Sequence, residues 1–185
     1  MDHVIRAVRP DEWPRTRELR LDALRDPAAP VAFLETYEAA VAYPDTVWQE
    51  RAAGFSARQG IRSLEFVAEA PDGRWSGSVA VLVEEAGRED FFGGTVERAQ
   101  GHLVGVFVRP EHRGGLVIGG LVAAALDWAW ALEDPRLARV RLHVHEGNPR
   151  AAAAYRKLGF VPTGVTVPMA GDPSAKELEC AIARP

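Results

Sequence analysis

Between Val106 and Leu121 the chain reads Val-Phe-Val-Arg-Pro-Glu-His-Arg-Gly-Gly-Leu-Val-Ile-Gly-Gly-Leu. A strand-like run meets a glycine-rich turn, and a helix-compatible run follows. A helix start carries N–H groups without partners and the positive end of the helix dipole, so this arrangement suits a phosphate. Arg113 adds a full positive charge beside it. The same glycines also have a structural reading: Gly114-Gly115 makes a turn, and Gly119-Gly120 lets a helix pack closely on a sheet. On these residues alone both readings stand. A P-loop needs Lys and Ser or Thr after the glycines, and none follows. A dinucleotide fingerprint needs Gly-x-Gly-x-x-Gly, which these glycines fit poorly. Glu146 lies past the next strand, as that motif requires, but too little chain remains for the second half of such a domain.

A second stretch combines a cap, a small residue and a phenol. Asn148, Ala151, Tyr155 and Gly159 step by three or four residues and so share one helix face. Asn148 suits the cap, and Pro149 the first helical position. No Ser and Asp are matched to a histidine as a triad, and no His-x-x-x-His helix offers a zinc site.

Elements must hold these residues in place. Residues 3–8 read as a strand, broken at Arg9-Pro10-Asp11, with Asp11 capping a helix over roughly 12–25. Residues 31–42 are helix-compatible, and Pro44-Asp45 opens a short helix to about Ala53. Leu64–Ala70 and Trp75–Glu85 form a hairpin around Pro71-Asp72-Gly73. Residues 86–100 read as a loop. Gly101–Val108 is a strand, Leu116–Leu132 a helix and Ala138–Val144 a strand. A helix runs from Asn148 to about Leu158, stopped by Gly159. Phe160–Val167 and Glu177–Ala183 are the last strands, with a Gly171-Asp172-Pro173-Ser174 turn between them. The pattern is a mixed α/β domain on one central sheet, expected to span 1–185 as a unit.

Composition removes several classes. The 185 residues include 22 basic and 26 acidic ones, for a net charge of -4, and 47% are hydrophobic. Cys180 is the single cysteine, so no internal disulfide or cysteine-based zinc cluster forms. No apolar run reaches the roughly 20 residues that span a bilayer. The acidic balance argues against a nucleic-acid partner. A soluble cytoplasmic protein is expected.

The run Asn148-Pro-Arg-Ala151-Ala-Ala-Ala-Tyr155-Arg-Lys-Leu-Gly159-Phe160 resembles the GNAT superfamily of acyl-CoA-dependent N-acyltransferases, whose pattern Asn-x-x-Ala-x-x-x-Tyr-x-x-x-Gly-Phe it fills. Val108, Pro110, Arg113 and Gly114 match the upstream Val-x-Pro-x-x-Arg-Gly. The resemblance implies a central, mostly antiparallel twisted sheet of about seven strands flanked by about four helices, splayed between the strands at 101–108 and 138–145. It implies an N-acetyltransferase that moves an acetyl group from acetyl-CoA to a primary amine of a small molecule or peptide, without a metal. The pantetheine arm would lie in the splay against backbone groups of Val106 and Val108, as an added strand. The pyrophosphate would rest on Arg113, Gly114, Gly115, Leu116, Val117, Ile118 and Gly119, and Asn148, Ala151 and Tyr155 would complete the cofactor site. Tyr155 would protonate the leaving thiolate, while a backbone N–H at Val106 or Val108 held the oxyanion. His102, where many members carry a carboxylate, would take the proton of the amine. His143 and His145 compete for that role, His145 being the one expected to face the cleft. A homodimer is compatible with the resemblance; nucleic-acid and membrane partners are not expected.

The turn departs from the usual Arg-Gly-x-Gly-x-Gly/Ala, because Leu116 and Ile118 replace small residues. The alternative is therefore a GNAT-fold protein with weakened or lost acetyl-CoA binding, serving as a non-catalytic binding or regulatory module. Acceptor pockets are expected from about 26–45, from 86–100 and from 165–175. Tyr37, Tyr43, Phe91 and Phe92 are candidate apolar walls, and Glu35, Glu38 and Glu89 candidate attractors of a cationic amine.

Overall fold

The computed structural model describes residues 3–54, 62–169 and 172–185. The strands are β1 (Val4–Ala7), β2 (Ser63–Glu69), β3 (Trp75–Glu84), β4 (Gln100–Val108), β5 (Arg139–His145), β6 (Val161–Met169) and β7 (Asp172–Ala183). The α-helices among the described residues are α1 (Trp13–Leu24), α2 (Tyr37–Val41), α3 (Asp45–Ala52), α4 (Val117–Ala131) and α5 (Pro149–Lys157). The sheet order is β1-β2-β3-β4-β5-β7-β6. Neighbours run antiparallel except β4 and β5, which are parallel.

The β4–β5 contact is short. Only Gly101↔Val140 and His102↔Arg141 pair, and the strands then separate. This is the expected splay. Beside it β4 carries an irregularity. Ser78 pairs with Phe107 but Ala80 pairs with Val104, so one residue of β3 faces two of β4. Gly105, at φ 63, supplies the left-handed backbone of this bulge. The extra residue changes which layer each side chain meets. Leu103 and Val108 are an odd number apart, yet both join the core beneath α4, while Phe107 packs on the other side with Leu19 and Ala23 of α1.

The two sheet faces are covered differently. Val117, Leu121, Val122, Ala125 and Ala129 of α4 are buried against Val79, Val81 and Val140. Burying one such leucine or valine contributes about 1.5–3 kcal/mol. α4 also crosses β1 closely: a Cβ on Gly120 would stand 3.2 Å from Ile5. On the opposite face, α1 and α3 cover the β1–β3 side, with Val67 and Trp75 beneath them.

Two segments differ from the sequence reading, and the 86–100 loop stands as read. Residues 31–42 do not form one helix. A single 3-10 turn at Ala29–Val31 is followed by an open stretch, and α2 starts only where the Thr36 side chain accepts the Ala39 N–H. The last strand begins at Asp172, so the expected turn at 171–174 lies partly in that strand, and its Gly171 lies outside the described residues. The loop at 86–100 is bound to the sheet by side chains far away in sequence. No described helix is long and apolar enough to cross a membrane.

Candidate active site

A cavity of about 510 Å³ opens at the splay, on the face opposite α4. Its walls come from α1, from Val31–Glu35, from Phe91 and Phe92, and from the diverging ends of β4 and β5. Gly105, Val106, Asn148, Ala151 and Tyr155 line it where the strands part. α5 forms as its residues dictate. The Asn148 side chain accepts the Ala151 N–H at 3.1 Å, Pro149 takes the first turn, and Gly159, at φ 93, ends the helix. That cap fixes Tyr155 two turns further on, against Phe160. Burial, with Cys180 and the Glu177 carboxylate nearby, holds the Tyr155 hydroxyl above the usual phenol range. Among the described residues this hydroxyl has no hydrogen-bond partner.

Next to the cavity lies a sealed polar cluster. The Arg141 guanidinium donates to Glu84 (2.9 and 3.0 Å), to Asp90 (2.9 Å) and to Glu179 (3.0 Å). Gln100 Nε2 donates to Glu84 at 2.8 Å, and His102 Nδ1 lies 3.3 Å from the same carboxylate. Burial alone would raise the Glu84 pKa; the bonds and charges of His102 and Arg141 outweigh it and hold the group at about 2. His102 Nε2 faces His143 Nδ1 at 3.2 Å. Burial, together with His102 and Arg141 alongside, pushes His143 down to about 3, so it is neutral. The cluster also secures the 86–100 loop. Asp90 accepts the Phe92 and Gly94 N–H groups, and Glu84 accepts that of Phe91. Phe91 and Phe92 then close over the two histidine rings.

The model of the acetyltransferase (GNAT) family matches residues 33–160. The chain belongs to the GNAT family. No curated protein matches it by sequence. Among solved structures it is similar to a GNAT acetyltransferase from Streptococcus pneumoniae (16% identity, 99% of this chain and 100% of that one, TM-score 0.69). It is also similar to NAA60 of Arabidopsis thaliana, solved with a bisubstrate analogue (15%, 98% and 98%, 0.68). A third is the Vibrio cholerae spermidine N-acetyltransferase, solved with CoA and spermine (17%, 98% and 95%, 0.60). At these identities the likeness is one of GNAT fold.

The GNAT motifs fall at two places, the splay and the start of α4. Val108 is buried, with its carbonyl accepting from Arg113 Nε at 2.7 Å. Arg113 also pairs with half-buried Asp26, so its charge is already partnered. A one-turn 3-10 helix, Pro110–His112, precedes the glycine turn. Gly114, at φ 78, makes that turn, and Gly115 and Leu116 lead into Val117, Ile118 and Gly119, the first turn of α4. No side chain caps it. Leu116 is 92% exposed and Ile118 packs on the core, so neither substitution fills the turn.

The expected base is corrected by its surroundings. His102 is 2% exposed, and Glu84 and His143 occupy both its ring nitrogens. No nitrogen is left for a substrate. The acceptor attractors also change. Glu35 lines the cavity but is held by Arg20 (2.7 Å) and Arg51 (2.8 Å), while Glu38 and Glu89 lie outside it. Tyr43, Phe91 and Phe92 line the cavity; Tyr37 instead packs under Arg25. None of the described residues at 165–175 reaches the cavity. Sequence reasoning passed over Glu65 and Glu177, two cavity-lining carboxyls outside any motif.

Proposed function

We propose that the protein transfers an acetyl group from acetyl-CoA to a primary amine of a small molecule or peptide. The observation that carries this is the parting of β4 and β5 after His102, with the Gly105 bulge and Tyr155 facing the gap from opposite sides. Backbone groups of Val106, which has no register partner in β3 or β5, would hold the pantetheine arm and the oxyanion. The start of α4, with N–H groups that no side chain caps, would face the pyrophosphate. Asn148 and Ala151 keep α5 close to the gap, and Tyr155 would protonate the departing thiolate. Its raised pKa keeps that proton in place until sulfur leaves.

A second reading, weakened cofactor binding, is favoured by the engagement of Arg113 with Asp26. One experiment separates the two. Acetyl-CoA at millimolar concentration raises the melting temperature of a protein that binds it. CoA release is then followed with alkylamines, spermidine, aminoglycosides and a free-N-terminal peptide as acceptors. A shift with turnover supports the acetyltransferase; no shift at millimolar acetyl-CoA refutes it.

A further inference from the structure

The chemistry just proposed needs a group that accepts a proton from the incoming ammonium, and the histidines of the cavity wall do not provide one. His102 has both nitrogens engaged. His143 Nδ1 faces His102, and its Nε2 is buried 3.9 Å from Glu179. His145 Nδ1 accepts the Gly147 N–H at 2.9 Å, so its one available lone pair is taken. Three carboxyls line the cavity. Glu35 is held by two arginines. Glu65 stands on β2, with Ser78 as its hydrogen-bond partner and Arg20 and Arg51 as the charges it faces. Glu177, on β7 directly across from His145, is half-buried and has no hydrogen bond or ion pair among the described residues. It shares the cavity wall with Tyr155 and Asn148 at the splay.

We propose that Glu177 is the proton acceptor for the attacking amine, placed beside Tyr155 so that the two protonations are coupled. This rests on the acetyltransferase reading above. The ammonium gives one N–H proton to a Glu177 oxygen, and the freed lone pair attacks the thioester carbon. The carbon–sulfur bond breaks with its electron pair going to sulfur, which takes the Tyr155 proton. The surplus proton on the new amide nitrogen restores the Tyr155 hydroxyl, and Glu177 releases its own to solvent. Ammonium and acetyl-CoA thus become amide, CoA thiol and one free proton.

The coupling is electrostatic. A charged Glu177 makes the Tyr155 hydroxyl a weaker acid, and burial raises the proton affinity of Glu177 itself. Once Glu177 has taken the proton of the amine, its negative charge is gone. Tyr155 then becomes a stronger acid at the step where the thiolate needs a proton. The titratable groups facing Glu177 are His145 from β5, its register partner, and Tyr155 from α5.

The test uses the full chain, acetyl-CoA and two small probe acceptors. n-Butylamine is protonated at neutral pH; hydroxylamine is already neutral there. Glu177→Gln is expected to show the wild-type acetyl-CoA melting shift. It should lose about 100-fold or more in n-butylamine acetylation at pH 7, with the rate climbing steadily toward alkaline pH as free amine accumulates. With hydroxylamine it should stay near wild type, and Glu177→Asp should restore part of the n-butylamine rate. Equal losses with both acceptors, or an unchanged acidic limb, would overturn the assignment. So would loss of that limb in Glu65→Gln instead. A wild-type protein without an acetyl-CoA shift fails the acetyltransferase reading itself, and this assignment with it.

Discussion

Two carboxylate–imidazole pairs lie on the same face of the sheet, with opposite fates. Glu84 and His102, on β3 and β4, are buried, and Arg141, Gln100 and His143 saturate them. Glu177 and His145, on β7 and β5, face the cavity, and the carboxylate has no hydrogen bond or ion pair among the described residues. The residue types are the same; the hydrogen-bond saturation differs. A saturated pair holds shape, because any proton movement breaks several bonds in a medium of low dielectric. An unsaturated pair beside a cavity can exchange protons with what enters it. The sealed pair therefore governs stability and the open pair governs rate.

The largest effect is expected on the sealed side. Arg141→Leu leaves Glu84 and Asp90 around an absent cation and Glu179 with Arg139 as its remaining arginine. Losing one partner of a buried pair costs about 3–5 kcal/mol, much of the roughly 5–15 kcal/mol that a domain holds. Urea unfolding reads this directly, and a loss below about 1 kcal/mol would break the comparison. On the open side, Tyr155→Phe should lower kcat by about 10²–10⁴-fold while the acetyl-CoA melting shift stays put. A fall in cofactor binding alone would make Tyr155 a packing residue.

The acid response should carry opposite signs on the two sides. Glu84 is held at about 2 against an ordinary 4.5. Its stabilisation is therefore complete above the ordinary value and is lost as pH falls toward 2. Glu84→Gln should flatten that acid transition. Burial raises Glu177, so its ionised form costs stability above its folded pKa and the cost disappears in acid. Glu177→Gln should raise the melting temperature slightly at pH 7, and a fall would argue for a hidden partner. The smallest effect belongs to Leu116→Ala. Its exposure limits the stability change to about 0.5 kcal/mol. Acetyl-CoA affinity should stay within about twofold by titration calorimetry; a tenfold gain would favour the weakened-cofactor reading.

What could be read from the sequence was local. Asn148, Pro149, Tyr155 and Gly159 act within a few residues of one another, so spacing alone specified α5 and what it presents. The seven strand segments followed from the period of the runs, and the splay between two of them from the family resemblance; the sheet order, with β7 between β5 and β6, did not. What escaped was set at long range. The 86–100 loop owes its shape to Asp90 meeting Arg141, and Arg113 is turned by Asp26, 87 residues earlier in the chain. His102 stood at a position with chemical meaning, but its neighbours Glu84 and His143 come from two other strands. Glu177 belongs to no motif, and only the pairing of β5 with β7 brings it to the cavity. The bulge did leave a trace: Gly105, inside the apolar run Leu103–Val108, is a standing signal for one.

That bulge makes β4 a strand with two phases. Up to Val104 its side chains keep step with β3 in one alternation, and from Phe107 onward they keep step in the reverse one. One strand can in this way give His102 and Phe107 to one layer and Leu103 and Val108 to the other. Deleting Gly105 would put the two halves back in step. Phe107 would then turn under α4, Val108 would meet α1, and the segment entering the Arg113 turn would arrive facing the wrong way.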